Sequence, residues 1–235
     1  MLPLKDNVPT RAFPIVTVTL IAINVLVFLW EISGTSLDAD VVHYGYYPCE
    51  VQSPCVGVAQ ERELGLVPAV FSSMFMHGGI VHIGGNMLFL WIFGNNVEDA
   101  LGRVRFLLWY LVAGVAATVA QTVVTLWFGD AQAASIPNIG ASGAIAGVLG
   151  AYLLLLPRAS VLTAIFLGFI FFIQEIPAVF YLGIWFVFQL WQGGFSVVNP
   201  DAGGGVAFFA HVGGFVFGLL TIHLVKQRSP LRPNY

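Results

Sequence analysis

Long apolar runs separated by short polar breaks are the feature that most constrains this chain. The first run extends from about Phe13 to Ile32, and about 20 residues is the length that crosses a hydrocarbon core. Charged residues make up only 9% of the 235 residues, whereas hydrophobic residues make up 58%. Because a soluble domain carries about 25% charged residues, water cannot be the solvent for most of this surface. The sequence therefore predicts an integral membrane protein that contacts the lipid bilayer over most of its surface.

Hydropathy along the chain predicts an all-α, polytopic bundle of six transmembrane helices. The predicted spans are Phe13–Ile32, Gly79–Asn95, Phe106–Phe128, Gly140–Leu156, Ile176–Trp191 and Val206–Val225. The apolar stretch Val161–Ile173 is shorter, and it either lies in the membrane interface or joins the fifth span. The N-terminal segment MLPLKDNVPTRAFP (1–14) is too short and too interrupted to be a removable signal peptide. The predicted organisation is an N-terminal tail (1–12), a membrane domain (13–225) and a C-terminal tail (226–235).

The basic residues predict the orientation, because Lys and Arg resist translocation. With six spans and both termini cytoplasmic, eight of the nine basic residues lie on the cytoplasmic side. These eight are Lys5, Arg11, Arg103, Arg105, Arg158, Lys226, Arg228 and Arg232, and Arg62 alone lies outside. Residues 33–73 then form a long external loop. The net charge of −3 gives no indication of a nucleic-acid partner.

Polar residues lie near the starts of spans two, four and six. Burying a polar side chain in a membrane costs free energy, so each of these residues indicates a structural or functional role. His82 and Asn86 lie in span two with His77 just before it, Ser142 lies in span four, and His211 lies in span six. All three spans run from outside to inside in the predicted topology. These polar groups should therefore share one shallow depth below the external surface.

Glycine spacing gives spans four and six a reason to touch. Gly143, Gly147 and Gly150 form a stripe of small residues on span four, and Gly214 and Gly218 share a helix face with His211. Small residues let membrane helices approach backbone to backbone. Packing along these stripes would bring His211 within hydrogen-bonding reach of Ser142.

A serine beside a histidine can perform nucleophilic acyl transfer, because the imidazole can take the hydroxyl proton. Backbone N–H groups at the start of span four, with the side chains of Asn86 and His82, could stabilise a tetrahedral oxyanion. Spans two, four and six contain no Asp or Glu that could orient His211. A dyad of Ser142 and His211 therefore fits better than a triad.

Each residue also has a plainer interpretation. A serine in a Gly/Ala-rich helix is usually packing material, and an intramembrane histidine more often serves an interhelical hydrogen bond or a proton relay. Two other functional classes stay open: a small-solute or proton transporter lined by these histidines, and a catalytically inactive binder of membrane proteins. Transporters usually show repeated halves and polar groups near the midplane, and neither is apparent in this sequence.

At these residues the sequence resembles the rhomboid family of intramembrane serine proteases. The matching elements are HGGIVHIGGN (77–86), GASG (140–143) and AHVGGFVFG (210–218), with GNNVEDALG (94–102) as a further similar segment. Three such elements in this order, each on its own span, are highly specific, whereas GASG alone is a weak signal.

The resemblance implies a six-helix bundle with a water-filled cavity open to the outside. Ser142 would be the nucleophile, His211 the general base, and His82, Asn86 and the Ser142 N–H the oxyanion hole, with His77, Gly140 and Gly143 as supporting residues. Substrates would be membrane-anchored proteins cut in or near their transmembrane segment, with no cofactor or metal. Some members place an aromatic residue four positions after the nucleophile, whereas this chain has Ala146 there. Support for the His211 ring must then come from elsewhere.

Cys49 and Cys55 are the only cysteines of the chain, and both lie in the predicted external loop. An oxidising location favours a local disulfide, with two free thiols as the alternative. A zinc site is disfavoured because His43 is the only other ligand of the usual type in the loop. The short chain, with no additional span, favours a multi-pass protein of a prokaryotic plasma membrane.

Overall fold

A computed structural model describes residues 1–34, 37–52, 55–57, 64–198 and 206–233. Arg62 and parts of the external loop lie outside these ranges. The helices are α1 (Ile15–Ser33), α2 (Leu37–Tyr44), α3 (Leu66–Ser73), α4 (Ile80–Phe89), α5 (Asn95–Leu101), α6 (Arg103–Phe128), α7 (Ala131–Ala134), α8 (Ser142–Leu155), α9 (Ala178–Val198) and α10 (Phe208–Val225). The strands are β1 (Leu2–Asp6), β2 (Ser160–Leu167) and β3 (Ile170–Pro177).

Four of these helices, α1, α6, α9 and α10, are long and apolar enough to cross a membrane. Large apolar side chains point outward from them, such as Leu26 on α1 and Val187 on α9. The predicted helical membrane fold is confirmed. The predicted second span consists of α4 and a π-helical segment (Leu90–Gly94) that continues into α5, and α8 is a shorter apolar helix. The number of crossings therefore stays a prediction.

Helix α8 is the centre of the bundle, and all but a few of its residues are buried. It packs against α10 through the two glycine stripes: a Cβ at Gly214 would meet the carbonyl of Gly143, and one at Gly218 the carbonyl of Gly147. On its other side, a Cβ at Gly143 would lie 2.6 Å from the Cβ of Ala117 in α6. Such close backbone approach excludes larger side chains and fixes the rotation of α8 relative to α10.

The stretch Val161–Ile173 does not join the fifth span as a helix, and its predicted alternative location in the membrane interface stays a prediction. It lies within an antiparallel hairpin, in which β2 pairs with β3 along its whole length, and β1 pairs with the other edge of β2. The segment is rich in β-branched and aromatic residues, which favour strands, and Gly168 has a φ of +61° at the turn. The predicted N-terminal tail thus contributes a strand, and α9 begins at Ala178, directly after β3.

Residues near both termini meet at one end of the bundle. Arg11 forms an ion pair with Asp99 and donates a hydrogen bond to the carbonyl of Ser229 at 2.8 Å. Nearby, the Glu98 carboxylate accepts hydrogen bonds from the backbone N–H groups of Val16 and Thr17 at the start of α1, where such donors lack intrahelical acceptors. These contacts join the two tails at one end of the bundle, and the cytoplasmic location that the basic residues indicate stays a prediction.

Candidate active site

Ser142 is the first residue of α8, at a helix start that a glycine makes possible. Gly140 has a φ of +113°, a conformation that side chains with a Cβ rarely adopt, and its N–H donates to the Ser73 carbonyl at 2.8 Å. The chain turns there, and Ile145 makes the first intrahelical bond, to the Ala141 carbonyl. The N–H groups of Ser142 and its neighbours therefore point out of the helix without an intrahelical acceptor.

His211 lies in the first turn of α10, opposite the start of α8. Its Nε2 lies 2.8 Å from Oγ of Ser142, which is an ordinary hydrogen-bond distance. The two residues are 69 positions apart in sequence, and the packed glycine stripes bring them together. This arrangement places a base within reach of a hydroxyl proton.

His82 and Asn86 project from α4 toward the same place. A Cβ on Gly140 would lie 2.8 Å from Nε2 of His82 and 3.7 Å from Nδ2 of Asn86, so both side chains face the turn that precedes Ser142. Nδ2 of Asn86 is buried and has no hydrogen-bond partner among the described residues. A buried donor without an acceptor is uncommon, and an oxyanion is an acceptor that would satisfy it.

His77 lies next to this cluster, in contact with His82. Its backbone N–H donates to the Glu31 carboxylate at 3.1 Å, and its Nδ1 lies 3.1 Å from the Phe75 carbonyl. Because a carbonyl only accepts, Nδ1 carries the proton of the His77 ring. The rings of His77 and His82 touch, with centroids 5.0 Å apart, and the Gly78 N–H donates to Nδ1 of His82 at 3.4 Å.

Two residues that the sequence reasoning missed complete the surroundings of His211. Nδ1 of His211 lies 2.7 Å from Oε1 of Gln189, and the rings of Trp185 and His211 have centroids 5.9 Å apart. Both residues belong to α9. An amide in an apolar span is a signal that could have identified Gln189, since polar groups there are costly.

A cavity of about 500 Å³ lies between the helices that carry these residues. Ser142, His211, His82, Asn86, Trp185 and Ala146 all line it. The structure thus brings together four predicted residues (Ser142, His211, His82 and Asn86), with Gly140 alongside. Gly143 instead packs against Ala117 of α6, with its carbonyl facing Gly214 of α10.

Cys49 and Cys55 lie apart from this cavity, in the predicted external loop. Their Sγ atoms are joined as a disulfide. The same loop is attached to the bundle through the Tyr46 hydroxyl, which lies 2.8 Å from Oγ1 of Thr122 in α6.

Comparison with known proteins supports one family. The Rhomboid domain profile matches residues 66–228. The chain is 32% identical to rhomboid protease GluP of Bacillus subtilis over 215 residues, which is 88% of this chain and 34% of that protein. It is 30% identical to the human presenilin-associated rhomboid-like protein, mitochondrial, over 228 residues (92% and 51%). It is 31% identical to rhomboid protein 1, mitochondrial, of Saccharomyces cerevisiae over 159 residues (65% and 40%).

The chain spans about half or less of the length of these relatives. The matched profile nevertheless includes α4, α8 and α10 with all the predicted cavity residues. With its helical membrane bundle and this match over more than half its length, the chain belongs to the rhomboid family.

Proposed function

We propose that this protein is an intramembrane serine endopeptidase that cleaves membrane-anchored proteins in or near their transmembrane segment. The observation that carries the proposal is the 2.8 Å separation between Nε2 of His211 and Oγ of Ser142 at the wall of a cavity. Nδ2 of Asn86, which has no partner in the part of the chain that the structure describes, adds a donor where negative charge would develop.

The proposed reaction begins when Nε2 of His211 accepts the Ser142 hydroxyl proton as Oγ attacks the scissile carbonyl carbon. The carbonyl electrons move to its oxygen, and the resulting oxyanion accepts hydrogen bonds from Asn86, His82 and the Ser142 N–H. Collapse of this intermediate breaks the C–N bond, and His211 gives its proton to the leaving amine. Water then hydrolyses the acyl-enzyme through the same base.

The membrane arrangement of this site is also part of the proposal. Six crossings with cytoplasmic termini would make the cavity open to the external face, as the basic residues indicate. Reporter fusions after Val198 and after Lys226 test this, because the first should lie outside and the second inside. The prokaryotic plasma membrane predicted above is not supported by the relatives, since two of the three are named mitochondrial.

Purified protein in detergent, a fluorophosphonate probe and a transmembrane test substrate together test the activity. Labelling and cleavage should fall about 10⁴-fold or more in Ser142→Ala and His211→Ala. Asn86→Ala should lower kcat about 100- to 1000-fold without abolishing it. Matched controls are Ser33→Ala and His223→Ala, whose side chains are exposed and which should behave as wild type.

Three outcomes of these assays would contradict the proposal. A folded wild-type protein that neither cleaves the substrate nor reacts with the probe would favour the inactive binder. Cleavage that persists in Ser142→Ala would remove Ser142 as the nucleophile. A rate unchanged in Asn86→Ala would remove Asn86 from the oxyanion hole.

A further inference from the structure

The His211 ring is held on two sides by a single helix outside the α4–α8–α10 cluster. Oε1 of Gln189 lies 2.7 Å from Nδ1 of His211, and the Trp185 ring lies against the ring of His211. Trp185 and Gln189 are four positions apart, so they share one face of α9. This face supplies the support that Ala146 cannot give.

Gln189 is a costly residue at this position. It is only 6% exposed, whereas its neighbours Phe188 and Leu190 are 49% and 43% exposed on a helix apolar enough to cross the membrane. An apolar residue of similar size would pack there without loss of amide hydration. The Gln189 amide provides a hydrogen bond to His211, and an apolar residue could not.

We infer that Gln189 is a positioning residue that fixes the tautomer of His211, an inference that rests on the proposed function. A neutral imidazole carries one N–H. When Nδ1–H donates to Oε1 of Gln189, the lone pair lies on Nε2, which faces Ser142. That tautomer alone can accept the hydroxyl proton.

Gln189 thus occupies the position that an aspartate holds in a Ser-His-Asp triad. In that arrangement the third residue orients the imidazole and stabilises the imidazolium, and loss of the correct tautomer costs about 10⁴-fold in kcat. An amide oxygen offers a dipole in place of a full charge, so it orients the ring without adding a buried carboxylate to a membrane span. The site thus has the three-residue geometry of a triad, although its third residue carries no charge.

The test compares Gln189→Met, which keeps the length of the side chain but lacks the acceptor, with Gln189→Glu, which keeps an acceptor. Gln189→Met should lower kcat and the rate of fluorophosphonate labelling about 100-fold or more, with KM within threefold of wild type. Gln189→Glu should recover most of that loss. Gln192→Met, on the same helix and half-buried, is the matched control and should keep wild-type kcat.

Nitrogen NMR of histidine-labelled protein reads the tautomer itself, with His211→Ala used to assign the signal. The Nδ1–H form should dominate in wild type and in Ser142→Ala, and the Nε2–H form should gain population in Gln189→Met. Because Ser142→Ala needs no activity, this readout separates failure of the inference from failure of the proposed protease function. If Gln189→Met does not fold, Gln189→Asn withdraws the amide by one methylene and should show the same change.

A kcat within threefold of wild type in Gln189→Met would overturn the inference. So would an unchanged His211 tautomer, or a loss confined to KM, which would indicate a role in substrate binding. A folded Gln189→Glu variant as impaired as Gln189→Met would also overturn it, because a carboxyl group keeps an acceptor oxygen whether or not it is ionised.

Discussion

The Glu31 carboxylate, near the end of α1, accepts a hydrogen bond from the backbone N–H of His77, with 3.1 Å between N and Oε1. Glu31 is fully buried, and this bond connects α1 to the segment that carries His77 into contact with His82. Because leaving either the buried carboxylate or the His77 N–H without a hydrogen bond would cost folding free energy, this bond holds the His77 segment in place.

Loss of this acceptor should loosen the His82 side of the site. Glu31→Leu should lower the free energy of unfolding by about 1–3 kcal/mol, the cost of leaving a buried donor unsatisfied, and should reduce kcat. Glu31→Gln retains an acceptor oxygen and should stay near wild type in both. Thermal unfolding and cleavage assays measure the two effects, and equal behaviour of the two variants would show that the bond has no such role.

Gly140 should not tolerate any side chain. A Cβ there would lie 2.8 Å from Cε1 and Nε2 of His82, and its φ of +113° would be strained in other residues. Gly140→Ala should therefore lower kcat about 100-fold by displacing His82, a proposed oxyanion donor. Gly84→Ala is the matched control, since a Cβ at that α4 position meets no atom of the described residues within 4 Å. Similar cleavage rates for both variants would show that the Gly140 turn is not needed for catalysis.

Asp6 should give the protein a pH-dependent stability. It lies in β1, and its Oδ2 accepts hydrogen bonds from the Tyr152 hydroxyl at 2.6 Å and from Nδ2 of Asn96 at 2.8 Å. Burial outweighs the Tyr152 hydrogen bond and raises the pKa of Asp6 from 3.8 to about 6. The folded state then holds the proton more tightly than the unfolded state, so this contribution to stability is full below pH 3.8 and is lost as the pH rises through 6.

Asp6→Asn removes this titration. The variant should lack the wild-type decline in melting temperature between pH 4 and pH 6.5, and at pH 7.5 it should be at least as stable as wild type, because no buried charge remains. Melting temperatures at a fixed scan rate measure both. A variant that keeps the full wild-type decline would assign it to another group.

The pairing of Cys49 with Cys55 should be visible by mass. Alkylation of the unfolded protein without reductant should leave its mass unchanged, and reduction before alkylation should add two alkyl groups, since these are the only cysteines. Cys49→Ser supplies the reference for a single free thiol. Two alkyl groups added without reductant would establish free thiols in the loop.

The sequence by itself was enough to predict the helical membrane bundle and four of the residues that meet in its cavity. Span length, polar residues inside apolar runs and glycine spacing are local properties, and they identified Ser142, His211, His82 and Asn86 without coordinates. The β2–β3 hairpin was not predicted, because a short apolar run is equally compatible with a strand or a buried helix segment.

Only the tertiary structure decided what holds His211. Gln189 and Trp185 lie on a helix with no recognised motif, 22 or more positions away in sequence. Their contact with His211 depends on the rotation of α9 about its own axis and on its packing against α10. Hydropathy specifies that a helix crosses the membrane, but which of its faces meets a neighbour depends on the side chains of both helices together.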